Sequence, residues 1–144
     1  MGAKPEITPP SFSAAPALGP RVLVEASEWA RGTALVHGLE ELGIEAVVCG
    51  GPEGHDLRCP FVAGGGCVAL GGADAAVFMV RLNDVRNVEL LHRLRAARPE
   101  LPLVVATPPP LAERHAEMLA GTTVVEWAAP TAVIAAAVAD LVDV

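Results

Sequence analysis

Residues 75–80 read AAVFMV, an apolar run entered from Gly71-Gly72-Ala73-Asp74 and left through Arg81-Leu82-Asn83-Asp84. An unbroken apolar run of this length between turn residues matches a strand buried on both faces of a parallel sheet. Four similar runs accompany it, at residues 22–24, 46–49, 103–106 and 122–125. Helical spacing of apolar residues lies between most of them, so the chain reads as strand and helix in alternation. The third strand is expected at the centre of an open α/β sheet, and the second at its edge. In such sheets the functional crevice lies at the carboxyl ends of the central strands.

Working outward, residues 21–25 form the first strand, and Ser27 is a good N-cap for a helix carrying Leu35, Leu39 and Leu42 on one face. Gly43 stops that helix. Residues 50–74 hold eight glycines and two prolines where a crossover helix belongs. Only residues 67–70 there can form a short helical turn, and a long loop of this kind is usually functional or mobile. Beyond the central strand, Asn83 or Asp84 caps a helix with Val88, Leu91 and Leu94 inward, ending before Pro99. Residues 108–110, Pro-Pro-Pro, lead from the fourth strand into a helix over 111–120. Pro130 is placed to open the last helix.

The bulk composition bounds the function. At 144 residues the chain can bury a core without disulfides or metal. Apolar residues make up 52% and aromatics 3%, so Ala, Val and Leu must fill that core. The net charge of −7 argues against nucleic acid and against an anionic membrane surface as partners. Arg81, Arg86, Arg93, Arg95 and Arg98 crowd one segment, but no aromatics interleave for base stacking, and they read as a solvated helix face. Residues 1–20, rich in Pro and Ala, read as a disordered tail without the pattern of a secretion signal, and a domain follows over 21–144. With no long apolar span and an odd number of cysteines, a cytoplasmic protein with reduced thiols is expected.

The strand–helix order, the opening RVLV at residues 21–24, Asp74 before the central run, LPLVVAT at 101–107 and the closing strand, turn and Pro-led helix resemble the receiver domain of bacterial response regulators. The resemblance covers about residues 21–144. It implies a flavodoxin-like fold: a five-stranded parallel sheet of order 2-1-3-4-5 with helices on both faces, the second helix here replaced by the Gly/Cys-rich loop. The family holds Mg²⁺ on an acidic pair after the first strand and phosphorylates an Asp at the end of the third. Those positions fall on Ala26, Ser27 and Met79, and none can serve. Thr107 matches the family's switch hydroxyl, while Trp127 stands where its basic residue is expected. The resemblance thus implies a degenerate receiver that is not phosphorylated by the family's mechanism. Receivers commonly dimerise through the surface of the last strand and its neighbouring helices, and Ala132, Ala135, Ala136 and Ala139 are expected to form a small-residue face for a homodimer.

A rival site lies in the loop. Cys49, His55, Cys59 and Cys67 could supply a Cys₃His zinc site or hold an iron–sulfur cluster, although the spacing lacks the C-x2-C knuckle of recognisable zinc motifs. A Cys59–Cys67 disulfide would make a thiol redox sensor. The plain alternative is that Cys49 is a core residue on its strand and that the other two tuck the loop down. A small-molecule site at the strand ends would draw on Glu25, Ser27, Arg81 and Thr107. His37, His92 and His115 read as surface residues of helices. The balance favours a non-catalytic signalling module with no cofactor, acting through an unknown protein partner and as a homodimer.

Overall fold

The computed structural model describes residues 11–13, 19–54 and 67–142. Five parallel strands form one sheet: β1 (Arg21–Ala26), β2 (Glu45–Cys49), β3 (Ala75–Met79), β4 (Leu103–Ala106) and β5 (Thr123–Val125). Their order is 2-1-3-4-5, with β3 central as expected. β1 is the hinge of the register, aligning Val22 with Ala46 of β2 and with Ala75 of β3. Every β3 residue is buried, because helices cover both faces and leave no solvent side for polar residues.

The alternation of side chains divides the core into two clusters. On one face α1 (Trp29–Glu41) and α6 (Thr131–Val142) cover Val22, Val24, Ala26, Val77, Met79, Val104 and Ala106. On the other, α2 (Val68–Gly72), α3 (Val85–Ala97) and the pair α4 (Pro109–Arg114) and α5 (Ala116–Leu119) cover Leu23, Phe78, Val80, Leu103 and Val105. α1 seats so closely that a Cβ at Gly32 would lie 2.7 Å from the Ala26 Cβ and 2.8 Å from the Val48 Cγ2. Gly38, on the same helix, has nothing within 4 Å of such a Cβ. Gly38→Ala is therefore expected to raise stability by about 0.5–1 kcal/mol through helix propensity, whereas Gly32→Ala loses about 1–2 kcal/mol despite the same gain. Urea unfolding of the two variants decides it: equal stabilities would mean that α1 is not held against the sheet at Gly32.

Several local expectations are met. Gly43 ends α1 at φ 81°, a conformation that a side chain disfavours. Asp84 caps α3, its Oδ1 accepting from the Arg86 amide at 2.9 Å. The Arg86 side chain on the same carboxylate holds it below the usual range. Other details differ. Glu28, not Ser27, occupies the N-cap of α1, and no side chain caps that end. The helix expected over 111–120 starts earlier, at Pro109, and breaks at His115 into α4 and α5. The crossover between β2 and β3 retains a 3-10 turn (Gly51–Gly54) and the five-residue α2.

Residues 11–13, inside the stretch expected to be a disordered tail, dock on the domain. Phe12 packs against the α3-side cluster and lies 5.7 Å below the Arg21 guanidinium, while the Ser13 amide donates to Glu45 Oε2 at 2.8 Å. No helix among the described residues is long and apolar enough to cross a membrane.

Candidate functional site

The carboxyl ends of β1, β3, β4 and β5 bring Ala26, Ser27, Met79, Thr107 and the Trp127 turn to one edge of the sheet. Ala26 and Met79 are register partners, each 2% exposed, and both belong to the apolar cluster under α1 and α6. The Ser27 amide donates to the Met79 carbonyl at 3.1 Å, and the Ser27 Oγ accepts from the Arg81 amide at 3.2 Å. Ser27 thus extends the β1–β3 ladder beyond the strands. That competing bond is the physical reason its hydroxyl does not cap α1: the exposed exit of β3 offers a donor at fixed geometry.

Thr107 is 2% exposed, and its amide donates to the Val125 carbonyl at 3.1 Å. Its Oγ1 is buried without a hydrogen-bond partner among the described residues. Trp127 sits half-buried at the end of β5, with the Arg31 guanidinium 5.4 Å from its ring centre. Arg31 Nη2 also donates to the Ala129 carbonyl at 2.8 Å, so α1 and the turn before α6 are tied together. A cation–π contact holds the indole where the resemblance placed a basic side chain.

Glu25 was expected at a strand-end ligand site, and what the sequence did not signal is its burial. Strand alternation turns it away from Ala26 and Met79, toward the α3 face, where it is 4% exposed. Burial pushes its carboxyl up to about 8, against a smaller downward pull from a hydrogen bond with Cys49. It is therefore not available to a ligand beside Ser27, Arg81 and Thr107 on terms of simple proximity. Asn87, fully buried at the start of α3, was likewise not signalled; its Nδ2 donates to the Arg81 carbonyl at 2.9 Å and fixes the β3 exit.

Of the cysteine loop, Cys49 ends β2 and is buried, and Cys67 precedes α2 and packs half-buried on the α3-side cluster. His55 and Cys59 lie outside the described residues. Among the described residues no three His, Cys, Asp or Glu side chains gather as a metal site. His92 is exposed and His115 half-buried. Both line an open groove of about 820 Å³ between the second half of α3 and the α4–α5 break, with Arg95, Arg114, Glu113 and Glu117.

On α6 the expected small-residue face is split. Ala132 and Ala136 are exposed and Ala139 is half-buried, but Ala135 is 5% exposed and sits in the core with Ile134 and Val138. The correction follows from helical geometry: Ala135 adjoins Ile134 and Val138 on the stripe that α1 and the sheet cover, and α6 is buried on that stripe alone. Val133, 50% exposed, takes its place on the outer face.

No protein-family model matches the sequence, and no curated protein matches it. Solved structures do. A CheY-like response regulator receiver domain protein from Methanospirillum hungatei superposes with a TM-score of 0.63 at 14% identity, over 87% of this chain and 94% of that one. The signal receiver domain of a signal transduction histidine kinase from Syntrophus aciditrophicus gives 0.64 at 17% identity, over 87% and 91%. An orphan response regulator of H. pylori gives 0.61 at 18% identity, over 88% and 99%. With its strand order of 2-1-3-4-5, the chain has the flavodoxin-like fold of response-regulator receiver domains.

Proposed function

We propose that this chain is a non-catalytic signalling module: an atypical receiver that works through protein–protein contacts, without phosphorylation and without a resident cofactor. The observation that carries this reading is the state of the strand ends. Where phosphoryl transfer needs carboxylates to hold Mg²⁺ and to accept the group, Ala26 and Met79 pack as buried apolar partners and Ser27 is bonded to the β3 exit. The receiver-type fold supports the signalling class, and one protein that shares it is an orphan response regulator. Incubation with a small-molecule phosphoryl donor and Mg²⁺ is expected to give no covalent phosphoryl adduct by intact-mass spectrometry. An adduct would defeat the reading.

The partner surface in this reading is the outer face of α6 together with the free edge of the sheet at β5, and its first occupant is a second copy of the chain. Val124 at the sheet edge is 44% exposed and Val133 is 50% exposed, with Ala132 and Ala136 beside Val133 on α6. Val133, Ala132 and Ala136 are exposed together on α6, and exposed apolar residues gathered on one helix face mark an interaction site more often than scattered ones do. Ala136→Glu, at an exposed position, is expected to leave the fold intact and to weaken self-association about tenfold or more. Sedimentation of both proteins across a concentration series checks this. A wild-type chain that stays monomeric throughout removes the homodimer.

A further inference from the structure

The Glu25 carboxyl lies at the end of β1 beneath a lid of backbone. Gly50, Gly51 and Pro52 are all buried where β2 ends, and Gly51 is the residue that lies against the carboxyl. Gly51 stands at φ 64°, and a Cβ there would come within 3.3 Å of both Glu25 Oε2 and the Leu90 Cδ2 of α3. The turn therefore touches the carboxyl on one side and α3 on the other, with no room for a side chain between them. The Gly51 amide donates to the Cys49 Sγ at 3.4 Å, and the Cys49 thiol hydrogen-bonds to Glu25. The chain of contacts runs from turn to thiol to carboxyl. Glu25 Oε2 itself has no hydrogen-bond partner among the described residues.

Among the described residues nothing around Glu25 is suited to hold an ionised carboxyl. Among the described residues Cys49 is the titratable group that faces Glu25. β3 offers its register partner Phe78, α3 offers Leu90, and the turn offers the Gly51 backbone. None of these is a cation that could receive a carboxylate, and an ionised group left with an unbonded oxygen in an apolar core must find water or move. We propose that Glu25 is a proton-controlled latch: while neutral it holds the Gly51 turn closed over the end of β2, and on losing its proton it admits water, lifts the turn and exposes the Cys49 thiol. This stands independently of the signalling reading, since it concerns the opposite face of the sheet from Met79.

The sign follows from linkage. A carboxyl whose pKa rises from 4.5 to about 8 on closure favours the closed turn fully below pH 4.5, and loses that preference progressively as pH rises to about 8. Opening therefore grows about tenfold per pH unit across that window and then levels off. Thiol alkylation adds its own factor of about ten per unit below the thiol pKa, because the thiolate is the nucleophile. The test is iodoacetamide labelling of the full chain, read at Cys49 by peptide mass spectrometry from about pH 6 upward. Wild type is expected to gain about a hundredfold per unit up to about pH 8, and Glu25→Gln about tenfold per unit over the same range. Equal slopes in the two proteins overturn the latch. Hydrogen exchange of the Gly51 amide in wild type gives a second reading that needs no variant. Hydroxide catalysis alone yields about a tenfold rise per unit, and the latch requires about a hundredfold. A tenfold slope at Gly51 likewise overturns it.

Discussion

Phe78→Ala is expected to remove about 4 kcal/mol of folding stability, within the range of about 3–5 kcal/mol for phenylalanine truncation in a core. Among the described residues Phe78 is the largest fully buried side chain, and it lies on the central strand, paired with Glu25 of β1 and Val105 of β4. The walls of the resulting void are held by sheet hydrogen bonds on both flanks and cannot close in, so the cavity persists. A domain of this kind has about 5–15 kcal/mol in all, and the variant should therefore unfold at a much lower urea midpoint with an unchanged slope. A loss under about 1.5 kcal/mol would show that the α3 side of the core is loosely packed.

Met79→Asp is the second large effect, and it tests the functional reading as well as the packing. The substitution restores the residue type that the receiver resemblance expects at the end of the third strand. Here, however, it would place a carboxyl against Ala26 in an apolar cluster at a position 2% exposed. Loss of the methionine side chain and burial of the carboxyl together should cost about 3–5 kcal/mol at neutral pH. The introduced carboxyl is forced toward its neutral form, so its folded pKa is raised. Stability should accordingly recover on acidification and fall again as pH rises, the reverse of a salt-bridged carboxylate. Even when folded, the variant should take up no phosphoryl group from a small-molecule donor, because Ala26 and Ser27 supply no carboxylate for Mg²⁺. A phosphorylated peptide carrying the substituted position in that experiment would mean that the strand ends already form a working site. An undiminished stability at neutral pH would mean that water reaches Met79.

The places of several candidate residues at the strand ends were legible in the chain because they depend on position along strands. The receiver resemblance put Ala26, Met79 and Thr107 at the strand ends, and in the structure Ala26 pairs with Met79 and Thr107 follows directly on β4. What escaped were groups whose role depends on a neighbour distant in sequence. Ser27 has the composition of a cap, but the Arg81 amide, 54 residues away, takes its hydroxyl. Ala135 is indistinguishable from Ala132 and Ala136 until α1 is laid against α6. Glu25 stands out in sequence as a carboxylate at a strand end, but not as a buried one, because carboxylates almost never lie buried unpaired.

The strand–helix alternation, the central place of residues 75–79, the helix stop at Gly43 and the lack of carboxylates at positions 26, 27 and 79 can all be read along the chain. These are consequences of residue type and of the period of side chains along one element, which need no partner to be expressed. The tertiary structure alone decided that Glu25 is buried beneath Gly51, that Trp127 is held by Arg31, and that α6 hides Ala135 while leaving Val133 outside. Burial, and with it the charge a group can carry, belongs to the packing of several elements at once. No single stretch of chain contains that information.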